Sequence, residues 1–213
     1  MRSLLILAML AGVAHAAPDL EALGKPVPAC EATRTCFGIA LHVTVVDGKS
    51  IATPAWVAIQ FAAANHHFAR LGVGFQIASI DALPAGAARV RDIGDRNAFR
   101  PQVTGTVIHV FVTGQLDDID RAGEVIRGVT WRRDATTKFV IVSTIAFDRV
   151  LAHELGHVFG LPHSTYAISI MNKTERAVPP PESRTFADEE YAAMKPKLAQ
   201  LLRDRLLVPV KAP

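Results

Sequence analysis

Beyond its first residues the sequence has no uncharged apolar run long enough to cross a membrane, and nowhere does it place more than two basic residues side by side. It contains no internal repeat, only two cysteines, and no low-complexity segment apart from Pro179-Pro180-Pro181. A spanning helix needs about 20 apolar residues, so stable membrane insertion of the body of the chain is excluded. With 23 Lys and Arg against 20 Asp and Glu, and no basic stripe interleaved with aromatics, nothing points to a nucleic-acid partner. What remains is a chain of 213 residues, half of them hydrophobic, enough for one domain with a substantial core.

The apolar run that does occur is at the start. Met1-Arg2-Ser3 is a short positive opening, Leu4 to Ala14 is apolar, and Ala14-His15-Ala16 has the small-x-small pattern of a signal-peptidase site. Residues 1–16 therefore read as a cleavable export signal, with an uncleaved anchor as the alternative. The expected mature protein, 17–213, is secreted or periplasmic. In such an oxidising compartment Cys30 and Cys36 are most simply a disulfide closing a small loop. The sharper alternative makes Cys30 a thiolate that blocks a metal site.

Periodicity predicts strands at 39–46, 73–80, 106–112, 128–131 and 139–143. Between the first two, Thr53-Pro54 has the form of a cap with proline at the first helical position, opening a helix that Gly72 and Gly74 stop. A second helix spans roughly 147–159. Residues 161–186 hold Pro162 and the proline triplet with little apolar period, so they read as loop. A last helix should begin near Thr185, with Asp188, Glu189 and Glu190 in its first turn, and run to about Leu207.

The second helix carries His153-Glu154-Leu155-Gly156-His157-Val158-Phe159-Gly160-Leu161-Pro162-His163. Histidines four apart project from one helix face and can converge on one ion at about 2.0–2.1 Å, while Glu154 stands beside that face, able to reach a water on the metal. Gly160 permits a left-handed helix end, after which His163 can approach the same ion. Three nitrogen ligands leave a fourth position open, as in catalytic zinc sites. The remaining histidines read differently. His42 and His109 lie in strands as packed or surface residues, and His66 and His67 are expected on the exterior of the first helix.

The pattern H-E-x-x-H-x-x-G-x-x-H, filled at His153, Glu154, His157, Gly160 and His163, resembles the signature of the metzincin clan of zinc endopeptidases. Ser169-Ile170-Met171-Asn172 is the candidate for that clan's methionine turn, and the interval from His163 to Met171, with Ser164 following the third histidine, is most similar to the matrixin branch. Two departures stand out: Met171 is followed by Asn172-Lys173 rather than an aromatic and a proline, and no tyrosine sits where astacin-like relatives use one as an extra ligand.

The resemblance implies an α+β, zincin-like fold: a twisted, mixed, five-stranded sheet with two long helices in an upper subdomain (17–160), then a small loop-rich lower subdomain (161–213) ending in a helix. It implies zinc on His153, His157 and His163, Glu154 as general base and acid, and Met171 as an apolar floor. It further implies that Gly128, Val129, Thr130 and Trp131 form an edge strand that pairs with extended substrate. The acidic run Asp117-Asp118-Ile119-Asp120 reads first as a solvated loop, with oxygen ligation of calcium, as in loops of related enzymes, as the alternative.

A zinc endopeptidase acting on protein or peptide substrate is thus the expected activity. Two alternatives stay open: a non-catalytic zinc-binding module that recognises proteins, and a zinc amidase acting on cell-wall peptides. Glu154 favours the first reading, because a binding module has no use for a general base. Specificity, activation and oligomeric state are not assigned by these residues.

Overall fold

The computed structural model describes residues 19–211, so the proposed signal segment 1–16 lies outside the described residues. Five principal strands and three principal helices follow one another as β1 (Thr35–Val46), α1 (Pro54–Phe68), β2 (Val73–Leu83), β3 (Ile108–Thr113), β4 (Gly128–Arg132), β5 (Lys138–Ser143), α2 (Val150–Val158) and α3 (Asp188–Arg203). The sheet runs β2-β1-β3-β5-β4, with a two-residue strand, Lys49–Ser50, paired antiparallel to the end of β1. All principal pairings are parallel except β4 with β5, so the expected mixed five-stranded sheet is present. Among the described residues no helix is long and apolar enough to cross a membrane.

The central strands are buried on both faces, and their side chains divide with period two. Ile108, Val110 and Val112 of β3 and Val140 and Val142 of β5 pack toward α1 and α2. Phe111, Phe139 and Ile141 point the other way into a smaller cluster with Leu83, Val90, Phe99 and Val103. That second cluster explains the polar segment between β2 and β3. It folds over the far face of the sheet around a short helix, Ile93–Asn97, capped by Asp92, whose carboxylate accepts from the Asp95 N–H.

Thr53 caps α1 as expected, its hydroxyl oxygen accepting from the Trp56 N–H at 3.2 Å, with Pro54 at the first helical position. Val57, Gln60, Phe61, Ala64, His67 and Phe68 form its buried stripe, and a 3-10 turn leads to Gly72 in the left-handed region at φ 72°. Gln60 ties this helix to the start of α2, donating to the Phe147 carbonyl at 2.7 Å and accepting from the Leu151 N–H at 3.1 Å.

Two expectations change. His67 is buried, not exterior, and its Nδ1 pairs with the Thr185 hydroxyl at 3.2 Å. That contact occupies Thr185, so α3 starts later, with Ala187 as its cap and the Glu190 carboxylate accepting from the Ala187 N–H at 2.8 Å. His42 and His109 are packed, Nε2 to Nδ1 at 2.9 Å, with His42 stacked on Phe111.

Candidate metal centre

Helix α2 ends because residue 160 is glycine. Gly160 takes φ 93°, its N–H reaches the His157 carbonyl at 3.2 Å, and the Leu161 N–H reaches the Gly156 carbonyl at 2.9 Å. These are the paired hydrogen bonds of a Schellman end, and they reverse the chain at the point that lets His163 return toward the helix. The result brings one nitrogen each from His153, His157 and His163 within 4.8 Å of one another.

Each helical histidine is oriented from behind. The His153 Nδ1 meets the Ile170 carbonyl and the His157 Nδ1 meets the Leu161 carbonyl, both at 2.7 Å. A carbonyl only accepts, so each Nδ1 carries the proton and each Nε2 presents a bare lone pair. Two nitrogens bound to one zinc at 2.0–2.1 Å in a tetrahedron stand roughly 3.3 Å apart. His157 Nε2 and His163 Nε2 stand 3.2 Å apart. The donor set and its spacing fit zinc. Burial holds His153 and His163 neutral, each pushed down to about 4, which keeps the lone pairs available at neutral pH.

Glu154 is 4 % exposed and lies between α2 and β4. Burial pushes its carboxyl up to about 7, before any metal's charge is counted, against the opposing pull of the Thr130 hydroxyl. Gly128 of the same strand makes room for it, since a Cβ there would come within 3.0 Å of Glu154 Cγ and Oε1. Among the described residues strand β4 pairs only with β5, and its residues line an open cleft of about 780 Å³ that also exposes all three histidines. The four strand residues read from the sequence therefore sit beside the histidines, with Gly128 and Thr130 turned to Glu154 and Val129 and Trp131 packed on the far face of the sheet.

Met171 is fully buried under α2, and a Cβ on Gly156 would fall 2.7 Å from its Sδ. Its turn is held by Ser169 and by side chains with no local sequence signal. Ser169 donates to the buried Glu190 carboxylate and accepts from the Met171 N–H at 2.8 Å. The Arg176 guanidinium collects the carbonyls of Ala167, Ser169, Asn172 and Thr174. Lys138 caps α2 by donating to the His157 carbonyl at 2.6 Å. These contacts join residues far apart in the chain, and only a serine–methionine spacing hinted at any of them.

The cysteines and the acidic run resolve simply. Cys30 and Cys36 are bridged, Cα atoms 5.9 Å apart, with Cys30 Sγ seated where Gly74 has no side chain. Calcium ligation by the acidic run, the lesser of its two readings, finds no support: among the described residues the three histidines are the only group of three or more His, Cys, Asp or Glu side chains close enough to share an ion. Asp117 is instead engaged by Arg89 and Gln115, and Asp118 accepts from the Asp120 N–H.

The sequence model of the matrixin family matches residues 91–194. No curated protein matches the chain. Among solved structures, archaemetzincin from Methanopyrus kandleri is similar with TM-score 0.51 and 15% identity, over 78% of this chain and 97% of that one. Metalloproteinase-II from Bacteroides fragilis is similar with TM-score 0.54 and 15% identity, over 84% of this chain and 60% of that one. At such identity these likenesses establish the fold, and the matched family covers the segment that holds β3 to β5, α2 and the methionine turn.

Proposed function

We propose that the chain is a zinc metallopeptidase of the metzincin clan, a reading supported by the matrixin model over residues 91–194, and that it is an exported endopeptidase in which Glu154 moves the proton. His153, His157 and His163 would hold one zinc. When bound, zinc supplies Lewis acidity that polarises a scissile carbonyl and makes water a nucleophile near neutral pH. The edge of β4 would bind the substrate as an added strand, fixing an extended peptide across the histidines through main-chain hydrogen bonds. Glu154 would take the proton from the attacking water as its oxygen bonds to the carbonyl carbon, then deliver it to the amine nitrogen as the C–N bond breaks. Met171, packed beneath Gly156, would keep the ligand helix at a fixed height.

The observation that carries this reading is the placement of Glu154: a buried carboxylate next to the ligand face, with a dedicated hydroxyl donor and a glycine clearing its path. A module that only bound zinc or protein would have no reason to bury a carboxylate there. Export is supported by the composition of residues 1–16 and by the disulfide, which suits an oxidising compartment. The test is zinc analysis of the purified protein with digestion of an unfolded, casein-like substrate, with and without a chelator. Glu154→Gln should keep zinc and fold while hydrolysis falls by at least about 10²-fold. Wild-type rates in that variant would remove Glu154 from the chemistry. Stoichiometric zinc without cleavage of any polypeptide would favour the binding module, or the amidase if cell-wall peptides were cut instead.

A further inference from the structure

The charge of the chain is nearly balanced, yet the cleft around the histidines is not: eight of its lining side chains are Lys or Arg, against three carboxylates, one of which is Glu154. Elsewhere in the protein cations are routinely paired, as in Arg89 with Asp117, Arg91 with Asp95 and Arg70 with Asp188. In the cleft, among the described residues, only Arg149 has a carboxylate within 4.0 Å, that of Asp148. The other seven, Arg96, Arg127, Arg132, Lys138, Lys173, Arg176 and Arg184, form no ion pair among the described residues.

These cations fall into two kinds. Arg96, Arg176, Arg184 and Lys138 spend donors on backbone carbonyls, so they are fixed in place and contribute a standing field. Lys173, Arg127 and Arg132 make no side-chain hydrogen bond among the described residues. Lys173 follows the methionine turn and is close enough for its charge to act on Glu154 and all three histidines. Arg127 precedes β4, with its guanidinium 4.2 Å above the ring of Phe147. Free cations thus stand on the lower wall, at Lys173, and at both ends of the substrate strand, at Arg127 and Arg132. A low-dielectric cleft lined with one sign of charge concentrates ligands of the other sign and can raise their association rate by about 10- to 10³-fold.

We propose that the cleft selects acidic polypeptide: an extended segment with Asp or Glu on both sides of the bond over the histidines, its carboxylates meeting Lys173 and Arg127 while Arg176 and Arg184 add to the field. This rests on the endopeptidase reading for turnover but not for binding. A strand laid along β4 presents successive side chains to opposite sides, so an acidic segment can address the lower wall and the mouth of the cleft together. A polypeptide fits this better than a nucleic acid, because the binding edge offered is a row of backbone groups rather than a stacking surface.

The test uses three peptides of equal length with one shared core, flanked by Glu, Gln or Lys. Binding is read by fluorescence polarisation on zinc-loaded Glu154→Gln protein, and kcat/KM on wild type. The Glu peptide should bind and turn over about tenfold or more better than the Gln peptide at low salt, the Lys peptide worst, and the gap should close as salt rises. The double variant Lys173→Glu/Arg127→Glu should lose or invert the preference with its zinc content and melting temperature unchanged. Equal binding of all three peptides would overturn the proposal, as would tighter binding of an oligonucleotide of equal charge. If the Glu peptide is preferred in binding but no peptide is ever cut, acid selection stands and the hydrolytic reading fails. If all three are bound and cut alike, the reverse holds.

Discussion

The Thr130 hydroxyl stands 2.9 Å from Glu154 Oε2 and 2.8 Å from the Glu154 main-chain carbonyl oxygen, one donor proton serving two acceptors of the same residue. The edge strand is thereby coupled to the proposed base: the residue that would line the substrate also fixes the carboxylate's direction. A hydrogen bond to the charged form opposes the rise in pKa that burial imposes. Thr130→Val keeps the shape of the side chain and removes that donor. It should lower kcat about tenfold with little change in KM, and move the acid limb of the rate profile to higher pH. Thr130→Ser should restore both. An unchanged acid limb in Thr130→Val would show that the contact is only structural.

Much of this site was legible because its chemistry is local in sequence. His153, Glu154, His157, Gly160 and His163 occupy fixed helical offsets and a single chain reversal, and such geometry follows from helix periodicity and one left-handed residue. Cys30 and Cys36 were readable for the same reason. Thr130 could be placed on the strand but not opposite Glu154, since that pairing depends on how far β4 slides along β5. His67 and Thr185 were misjudged because their contact spans the fold, and it both buries a histidine and moves the start of α3. The second core cluster was invisible for a related reason: its residues in the segment after β2 are too sparse to show a period.

Acid should destabilise the protein through histidines that play no part in the metal site. His42 and His67 are each pushed down to about 4 by burial. The groups facing His42 are His109 and Asp81; those acting on His67 are His66, Arg149 and Asp148. A folded pKa below the unfolded value of about 6.5 means that the unfolded chain binds protons first as pH falls. Their contribution is therefore whole above pH 6.5 and is lost progressively down to about pH 4. Each should contribute on the order of 2 kcal/mol across that window. Urea unfolding at pH 7 and pH 4.5 should show a smaller loss of stability in His42→Gln than in wild type, and equal losses would reject the assignment.

The disulfide closes a loop of few residues against the start of β2, and chain-entropy arguments give such a bridge about 2 kcal/mol. Cys30→Ser/Cys36→Ser should unfold at correspondingly lower urea while retaining zinc, because the bridge is built into β1 and Gly74 rather than into the histidine cluster. Loss of stoichiometric zinc in the double variant, with the fold intact, would instead tie the N-terminal loop to the metal site.

The floor of the site gives the most local prediction. At Gly156 an added Cβ would lie 2.7 Å from Met171 Sδ and 3.1 Å from Phe186 Cε1, both in side chains buried on every side. Neither has room to retreat: Met171 is held by its backbone to Ser169 and Ser164, and Phe186 packs edge-on to Phe68 and Tyr191. Gly156→Ala should therefore raise α2 off its floor at a cost of about 1–3 kcal/mol, despite alanine's better helix propensity. Because His153 and His157 ride on the same helix, their nitrogens should shift relative to His163, weakening zinc affinity as well as stability. Met171→Leu, close in volume and without that overlap, should cost less than about 1.5 kcal/mol and leave affinity nearly unchanged. Zinc titration and urea melts of the two variants separate these outcomes. A Gly156→Ala protein as stable and as tight for zinc as wild type would mean that the methionine turn yields, and that it does not set the height of the ligand helix.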